Sequence, residues 1–382
     1  MRRIKVAYFT DIPGMGGGET SLLNQLIALR QHPEIVTVLF CPEGDLAKHA
    51  RTVGIDTRIV TLLPFGYTTL RGLLAFLGNG LKVSWVVKRH RVTILHVESA
   101  SACYCSLLAG FSRCASLYVT YHGFWRRDRR LVSLLVSKVV RKVFVVSKHL
   151  IDEAADVFGA AKVQHLDLSL SPGFCETETA PPSHTRRRLG LPENGQLILQ
   201  VARYQEIKGQ ERLLMAFETG RLRGAFTNTA LVFAGDVMAG SEDAAHAYYR
   251  KVREHAERSP CRSDIYFLPF QTKVQNLMMA ADVIVVPSEY ESFGMVVIET
   301  MALGRPVIAT NRGGPAEIIT DGQDGFLFSP NDIETLISAM RRILEFPEVA
   351  ARLAACAAQT ARARYLPAVR TQILLDNYRK TV

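Results

Sequence analysis

This chain lacks any group of cysteines with the spacing of a disulfide framework or a zinc site. The seven cysteines are Cys41, Cys103, Cys105, Cys114, Cys175, Cys261 and Cys356. No two of them form a Cys-x-x-Cys motif, and none stands near histidines at a spacing that zinc sites use. This distribution argues against a disulfide-built scaffold and against a cysteine zinc site. It predicts a protein of a reducing cytoplasm.

Closely spaced aspartates are also missing. Nowhere does the sequence contain Asp-x-Asp, the kind of carboxylate pair that holds a metal ion against a diphosphate. The glycine-rich run at residues 11–20 lacks the Gly-Lys-Ser/Thr of a Walker loop and the register of a dinucleotide loop. Its glycines either let the backbone approach a phosphate or sugar closely, or form only a tight turn.

No apolar run is long and uninterrupted enough to cross a bilayer. The longest apolar region, residues 70–87, contains Arg71, Lys82 and several glycines. It predicts one or two helices that lead into a strand at residues 93–97. The first residues, MRRIKVAYFT, continue directly into a strand pattern and lack the apolar core of a signal peptide.

Positive charge is concentrated in the first half of the chain. The net charge is +10, and residues 1–170 carry 22 basic against 12 acidic residues. Basic clusters stand at residues 88–91, 126–130 and 138–142, and Phe124 and Trp125 precede the second. The excess is either a solvated face or a surface for an anionic membrane or acceptor. We expect a cytoplasmic protein, peripheral at the inner face of the cell membrane. No recognised nucleic-acid module accompanies the charge.

Strand-like and helix-like runs alternate along the whole chain. Predicted strands occupy residues 4–9, 35–40, 58–62, 93–97, 117–121, 143–146, 197–202, 231–234, 265–268, 283–286 and 306–310. Such alternation predicts an α/β protein with parallel sheets covered by helices on both faces. At 382 residues two domains are expected. A stretch rich in Pro, Ser and Thr, residues 169–192, contains their boundary. The predicted parts are 1–170, a linker region 171–192, 193–364 and a final helix in 365–382.

The most informative segment is residues 287–314, PSEYESFGMVVIETMALGRPVIATNRGG. It follows a predicted strand and carries Glu291 in a turn and Glu299 within a predicted helix at 295–303, stopped by Gly304. A helix that begins just past a strand end offers free amides to a phosphate. The two acids would bracket that anion, which suits a diphosphate with hydroxyls at both ends. A nucleotide-sugar is such a ligand.

This segment resembles the retaining glycosyltransferases of family 4 (group 1). The shared features are two glutamates separated by seven residues, Ser-Phe-Gly after the first, and Gly-Gly-Pro-x-Glu at residues 313–317. The resemblance implies the GT-B fold, in which two doubly wound Rossmann-like domains face a central cleft. It also implies a last helix that crosses back to the first domain. Many relatives have Asn-Gly-Val-Asp where residues 164–172 read QHLDLSLSP, so either the hinge or part of the donor pocket is expected to differ here, with Asp167 as the equivalent of the relatives' aspartate.

The resemblance also implies roles for particular residues. Arg203 and Lys208 would hold the donor diphosphate, Glu291 would contact the transferred sugar, and Glu299 the ribose. The further donor contacts that it implies are the amides of Phe293, Gly294, Met295 and Val296, the loops at Gly17, Gly18 and Phe270, and His122 near the sugar. His96 and Glu98 could face the acceptor.

These features predict a retaining glycosyltransferase that moves a sugar from a nucleotide-sugar (UDP-, GDP- or ADP-linked) to an acceptor hydroxyl, in a glycolipid or polysaccharide intermediate. Arg203, Lys208 and helix amides would stabilise the leaving diphosphate, so metal-independent transfer without a cofactor is expected. The alternatives are a GT-B phosphorylase, a nucleotide-sugar epimerase and a non-catalytic nucleotide-sugar-binding subunit.

Overall fold

The chain packs as two compact units. The structure, a computed structural model, describes residues 3–64, 69–112, 114–123, 130–237 and 243–381. The first unit contains Met1–Pro172 together with Leu366–Val382, and the second contains Gly173–Tyr365. The stretch expected to be a linker is thus divided, and its second part forms a helix, Pro182–Arg188, within the second unit.

The first unit is built on a seven-stranded parallel sheet in the order β3-β2-β1-β4-β5-β6-β7. Its strands are β1 (Ile4–Phe9), β2 (Ile35–Cys41), β3 (Thr57–Ile59), β4 (Ile94–Val97), β5 (Ser116–Tyr121), β6 (Val140–Val145) and β7 (Val163–His165). The order reverses between β1 and β4. In open parallel sheets, the strand carboxyl ends at such a point form a ligand site.

The second unit has a six-stranded parallel sheet in the order β10-β9-β8-β11-β12-β13. Its strands are β8 (Gln196–Val201), β9 (Thr229–Ala234), β10 (Ile265–Leu268), β11 (Val283–Val286), β12 (Val307–Thr310) and β13 (Phe326–Phe328). The order reverses between β8 and β11. The loops that follow these two strands are therefore neighbours.

Helices cover both sheets. Those before residue 173 are α1 (Gly17–Leu29), α2 (Asp45–Thr52), α3 (Leu70–Arg89), α4 (Ala100–Cys105), α5 (Leu107–Phe111), α6 (Arg130–Val139) and α7 (Ile151–Phe158). The rest are α8 (Pro182–Arg188), α9 (Gln210–Leu222), α10 (Asp243–Arg258), α11 (Val274–Ala280), α12 (Met295–Ala302), α13 (Pro315–Ile318), α14 (Ile333–Glu345), α15 (Pro347–Arg364) and α16 (Pro367–Arg379).

The predicted fold class is confirmed: both sheets are parallel, and helices connect their strands. Valine and isoleucine make the central strands apolar on both faces, as in β11, where all four residues are buried. The sequence interpretation missed β7 and β13, which are three-residue strands at sheet edges. The basic cluster at 126–130 lies outside the described residues, except that Arg130 begins α6.

The last helix, α16, belongs to the first unit. The hydroxyl oxygen of Tyr378, fully buried, lies 2.8 Å from that of Tyr8 in β1. The guanidinium of Arg370, also buried, donates to the carbonyl oxygens of Leu166 (2.9 Å) and Asp167 (2.7 Å), just past β7. These contacts fix α16 against the central strand β1 and against the segment just past β7.

Candidate functional site

Glu291 is the centre of a polar cluster in the second unit. Its carboxylate oxygen Oε1 accepts a hydrogen bond from the ammonium of Lys208 at 2.7 Å and another from the Ser288 hydroxyl at 2.7 Å. Both side chains of the ion pair are largely buried. The second carboxylate oxygen, Oε2, takes part in neither of these two bonds.

The cluster exists because the β8–α9 and β11–α12 loops touch. Gly209, with φ +69°, lies so close to Pro287 that an added Cβ would come within 2.0 Å of the Pro287 carbonyl oxygen. The amide of Glu289 donates to the Ile207 carbonyl at 2.8 Å. The guanidinium of Arg212 donates to the Pro287 carbonyl at 2.6 Å. The glycine after Lys208 is thus the residue that lets the two loops meet.

The Gly-Gly-Pro motif supports the same loop from its other side. Gly313 forms an isolated parallel bridge with Glu291, and the amide of Gly314 donates to the Glu291 carbonyl at 2.8 Å. Gly313 has φ +78°, and a Cβ there would lie 2.0 Å from that same carbonyl oxygen. The motif therefore fixes the backbone at Glu291, which explains its place in the pattern.

Helix α12 begins directly beyond this cluster. Gly294 precedes it with φ +110°, and Met295 is its first residue. The side chains of Phe293 and Met295 are buried, and the Phe293 ring packs edge-on against Tyr365. The first amides of a helix have no intrahelical acceptor, so those of Met295 and Val296 can serve an anion.

Glu299 lies one turn further along α12. Burial raises the pKa of this carboxyl to about 7. Among the described residues, no basic side chain forms an ion pair with it. A carboxyl of this kind is poised to ionise when a ligand supplies hydroxyl donors.

Arg203 and Phe270, two further residues that the resemblance singles out, each follow a strand of the same sheet. Arg203 follows β8, and the Gln210 side chain donates to its carbonyl oxygen at 2.9 Å. Phe270 follows β10 and is 59% exposed, and its amide donates to the Asp236 carboxylate at 3.0 Å. An exposed ring held in place by its backbone can stack on a flat base.

In the first unit, Gly17, Gly18 and His122 come together at the carboxyl ends of β1 and β5. Gly17 begins α1, and a Cβ added to Gly18 would lie 3.9 Å from the His122 ring carbon Cε1. The ring nitrogen Nε2 of His122 lies 3.1 Å from Glu98 Oε2. The Glu98 carboxylate therefore contacts His122, a pairing that the sequence interpretation did not propose.

The suggestion that His96 faces the acceptor is wrong. His96 lies in β4 with none of its side chain exposed. Its ring stacks on Tyr8 with the centroids 4.7 Å apart, and both ring nitrogens are within hydrogen-bond distance of buried hydroxyls. Helices cover both faces of this parallel sheet, so a residue within β4 is buried on either face, while Glu98, just past the strand, reaches the end of the sheet.

The described residues contain neither a cluster of metal ligands nor a helix suited to span a membrane. Among the described residues, no three His, Cys, Asp or Glu side chains are grouped so that they could hold a metal ion. None of the helices that the structure describes combines the length and the apolar content that a bilayer span requires.

Two Rossmann-like parallel-sheet units, with a lysine–glutamate pair at a helix N-terminus, define a protein of the GT-B fold class. Comparison with known families agrees. The model of the group 1 glycosyl transferases matches residues 183–360, and the model of glycosyltransferase family 4 matches residues 15–166. Together these matches span most of the chain. The chain belongs to the family 4 (group 1) glycosyltransferases.

Individual relatives match this chain either over less than half of its length or at lower sequence identity. The lipopolysaccharide 1,2-N-acetylglucosaminetransferase of Salmonella typhimurium is 33% identical over 178 residues, which are 45% of this chain and 46% of the relative. The chain thus spans less than half of that protein's length. The glycogen synthase of Mycobacterium tuberculosis is 28% identical over 81% of this chain and 73% of its own length.

A solved structure has the same fold. The Anabaena protein HepE, crystallised with UDP-glucose, matches with a TM-score of 0.85 over 99% of this chain and all of its own length. Its sequence is only 21% identical. At that identity the match establishes the GT-B fold, and the substrate of this chain has to be argued from its own residues.

Proposed function

We propose that the protein is a retaining glycosyltransferase that moves a sugar from a nucleotide-sugar to an acceptor hydroxyl without a metal ion. The observation that supports this most strongly is the contact between Lys208 and Glu291 beside the N-terminus of α12. A cation, a carboxylate and free amides then lie within one small region. These groups complement a phosphate and the hydroxyls of a sugar attached to it.

The groups suit a reaction in which negative charge develops on a leaving diphosphate. Lys208, Arg203 and the first amides of α12 would stabilise that charge as the sugar–phosphate bond breaks. Glu291 would accept hydrogen bonds from sugar hydroxyls through its Oε2 atom. In front-face substitution, the leaving phosphate itself takes the proton of the acceptor hydroxyl, and the new bond forms on the face that the phosphate leaves. No enzymatic nucleophile is required.

For the donor, we propose a UDP-sugar as the first candidate. The Anabaena relative of the same fold was crystallised with UDP-glucose. In this chain, the exposed Phe270 ring beyond β10 offers a stacking surface for a base. For the acceptor, we propose a glycolipid or polysaccharide intermediate, because one relative is a lipopolysaccharide N-acetylglucosaminetransferase.

The donor proposal is tested by thermal unfolding with UDP, GDP, ADP and their glucose and N-acetylglucosamine conjugates, each with EDTA and with magnesium. A ligand at 100 times its dissociation constant stabilises the folded state by about 2.7 kcal/mol. We expect UDP and one UDP-sugar to raise the melting temperature equally in EDTA and in magnesium. A shift that requires magnesium would contradict metal independence, and no shift with any nucleotide would contradict the donor site.

Turnover separates the enzymatic alternatives. A transferase gains UDP release when an acceptor is added, whereas a phosphorylase requires inorganic phosphate. An epimerase changes the sugar without releasing UDP. A subunit that only binds the nucleotide-sugar would show the thermal shift and release no UDP.

A surface of the first unit supports a membrane as partner. On α3, one face carries six apolar side chains that are 42% to 74% exposed: Leu70, Leu73, Leu74, Leu77, Leu81 and Trp85. We call this face the α3 stripe. The opposite face is the buried one, and it contains Gly72, Asn79, Gly80, Val83, Val86 and Val87. The helix thus exposes its larger apolar side chains and buries its smaller ones.

Packing explains this orientation. A Cβ on Gly80 would lie 2.8 Å from Leu108 in α5, so the glycine allows α3 to approach α5 closely. The Asn79 side chain pairs with both backbone polar groups of Leu63, each at 2.9 Å. The buried face is therefore specified by close contacts, and α3 cannot rotate to hide the stripe without breaking them.

We propose that the α3 stripe lies in the surface of an anionic membrane. The helix carries Arg71, Lys82, Lys88 and Arg89 and no acidic residue. At 3.6 residues per turn, Arg71, Lys82 and Arg89 follow one side of the stripe. An exposed apolar stripe with a row of cations beside it is typical of interfacial helices, which bind by apolar burial and by attraction to anionic lipids.

Replacing Leu77 and Leu81 with asparagine is expected to weaken binding to vesicles that contain phosphatidylglycerol by at least about tenfold, because two leucines leave the lipid. Replacing Arg71 and Lys82 with serine should weaken it at low salt and much less at high salt. Sedimentation of protein with vesicles measures both effects.

Replacing Leu222 with asparagine is the matched control, since this residue of the second unit is 75% exposed. Equal vesicle binding by the wild type and the Leu77/Leu81 variant would contradict the membrane proposal. The proposal would also be contradicted if the wild type formed a concentration-dependent dimer and only the Leu77/Leu81 variant failed to form it. The partner of the stripe would then be a second copy of the chain.

A further inference from the structure

A chain of hydrogen bonds begins at His122 and continues into the core of the first unit. Glu98, which follows β4, has Oε2 3.1 Å from His122 Nε2. Its other oxygen, Oε1, accepts a hydrogen bond from the Thr120 hydroxyl at 3.0 Å. His122 and Thr120 belong to the end of β5 and Glu98 to the end of β4, so adjacent strands bring the three groups together.

The chain continues to the final helix. The Thr120 hydroxyl oxygen lies 2.8 Å from His96 Nε2, and His96 Nδ1 lies 2.5 Å from the Tyr378 hydroxyl. Tyr378 in turn lies 2.8 Å from the Tyr8 hydroxyl. His96, Thr120 and Tyr378 are completely buried, so water does not replace any of these bonds.

The protonation states of the groups follow from their surroundings. Burial lowers the pKa of His96 to about 4, so its imidazole is neutral at physiological pH. Burial also raises the pKa of Tyr378, which keeps its proton. Burial opposes ionisation of Glu98, but the hydrogen bond with His122 and the nearby Arg370 guanidinium outweigh it and lower the pKa of this carboxyl. Glu98 is therefore a carboxylate, which can only accept hydrogen bonds.

A carboxylate at one end fixes every proton along the chain. The Thr120 hydroxyl must donate its single proton to Glu98, so it accepts a hydrogen bond from His96 Nε2–H. The proton of His96 is then on Nε2, and its Nδ1 accepts from Tyr378. By the same argument, the proton that His122 shares with Glu98 is on Nε2. In neutral His122, the other nitrogen, Nδ1, is left as an acceptor.

We propose that Glu98, held in place by Thr120, is the positioning residue of His122 and fixes this imidazole in the tautomer whose Nδ1 accepts a hydrogen bond from a substrate hydroxyl. The inference rests on the proposed function for its substrate, while the tautomer is a property of the first unit alone. His122 then recognises a hydroxyl as an acceptor and does not donate to it. An orienting carboxylate supports a histidine in this way in many active sites.

The tautomer is tested first, without substrate, by nitrogen NMR of protein labelled in histidine. We expect the singly protonated ring of His122 to carry its proton on Nε2, and Glu98→Gln to convert that ring to a mixture of tautomers. Thr120→Val should shift the His122 signals in the same direction, and Thr120→Ser, which keeps the hydroxyl, should not. A wild-type His122 with its proton on Nδ1 would overturn the proposal.

The kinetic arm measures UDP release from UDP-glucose. Glu98→Gln should lower kcat about tenfold or more, as for other residues that orient a histidine, and leave the dissociation constant of UDP within about twofold. The control is Glu153→Gln, which removes a carboxylate that accepts a 2.5 Å hydrogen bond from Tyr121, next to His122 in sequence.

A kcat of Glu98→Gln equal to that of the control would overturn the positioning role. Loss of UDP binding in folded Glu98→Gln would also overturn it, because a group that acts through His122 has no contact with UDP. If the wild type binds no nucleotide-sugar at all, the proposed function fails. The NMR experiment then still decides whether Glu98 sets the tautomer.

Discussion

Replacing Lys208 with alanine is expected to reduce sugar transfer by about 10²- to 10³-fold, the usual effect of removing one fixed group that stabilises developing charge. The ammonium of Lys208 is held 2.7 Å from Glu291 Oε1 beside the start of α12. Negative charge on the diphosphate increases as the sugar leaves, so the loss should affect the transition state more than the bound donor. UDP release from UDP-glucose measures the rate, and calorimetry measures donor binding.

The matched control is Lys251→Ala. Lys251 pairs with Glu211 at 2.5 Å in the same unit, and the Lys251 side chain is 62% exposed. This variant should retain wild-type turnover, because an exposed ion pair contributes little to stability and nothing to the leaving group. Normal turnover in Lys208→Ala, with a normal melting temperature, would contradict the role of Lys208 in stabilising the diphosphate.

Glu291→Gln should also lose most of its activity, and its effect should not add to that of Lys208→Ala. The two side chains share a hydrogen bond, and groups in direct contact couple in double-mutant cycles. Each single change also leaves the other charge largely buried without its partner. The double variant should therefore be close in rate to the poorer single variant. Full additivity would mean that the pair acts independently once the donor is bound.

The strand–turn–helix unit around Glu291 could be predicted from sequence. The sequence interpretation places the helix at residues 295–303, and the structure has it at Met295–Ala302, with Gly304 in the left-handed region just after it. Four apolar β-branched residues, a turn and a terminal glycine are all local signals. Local signals of this kind give the position of Glu291 along the chain and do not show which side chain it contacts.

The Lys208–Glu291 contact could not be predicted, because 83 residues separate the partners. Their loops meet only because β8 and β11 are neighbours in the sheet, which is a property of the strand order. Ser288 also escaped notice. Its place three residues before Glu291 was visible, but a serine after a strand is usually part of a turn.

The α3 stripe shows where a pattern misleads. Apolar residues that recur every three or four positions normally predict the buried side of a helix. In α3 the glycine and valine face is buried, because close packing against α5 requires small residues there. His96 was expected to face the acceptor, but it lies within β4, where every residue is buried. Glu98, one residue past the strand, contacts His122 instead.

Donor binding is expected to strengthen with pH and to lose this dependence in Glu299→Gln. Burial raises the pKa of Glu299 to about 7, so much of the protein carries a neutral carboxyl there at neutral pH. Ribose hydroxyls that donate to this group stabilise its ionised form, which makes its pKa lower in the complex than in the free protein. Binding then releases a proton, and affinity rises with pH until the free carboxyl is fully ionised.

Below pH about 7 the affinity should rise by up to about tenfold per pH unit and then level off. UDP-glucose is the right probe, because its diphosphate bears no group that titrates in this range, whereas the terminal phosphate of UDP does. Calorimetry in two buffers of different ionisation enthalpy counts the released proton directly. In Glu299→Gln both the slope and the proton release should disappear.

The sign of the proton exchange decides between two ways of binding. If the bound diphosphate dominates, its negative charge raises the pKa of Glu299 further, protons are taken up, and affinity falls as pH rises. If the ribose hydroxyls dominate, protons are released and affinity rises. Proton uptake, or a slope that survives in Glu299→Gln, would remove Glu299 from the ribose site. Release that depends on Glu299 alone would place the carboxylate against the nucleotide.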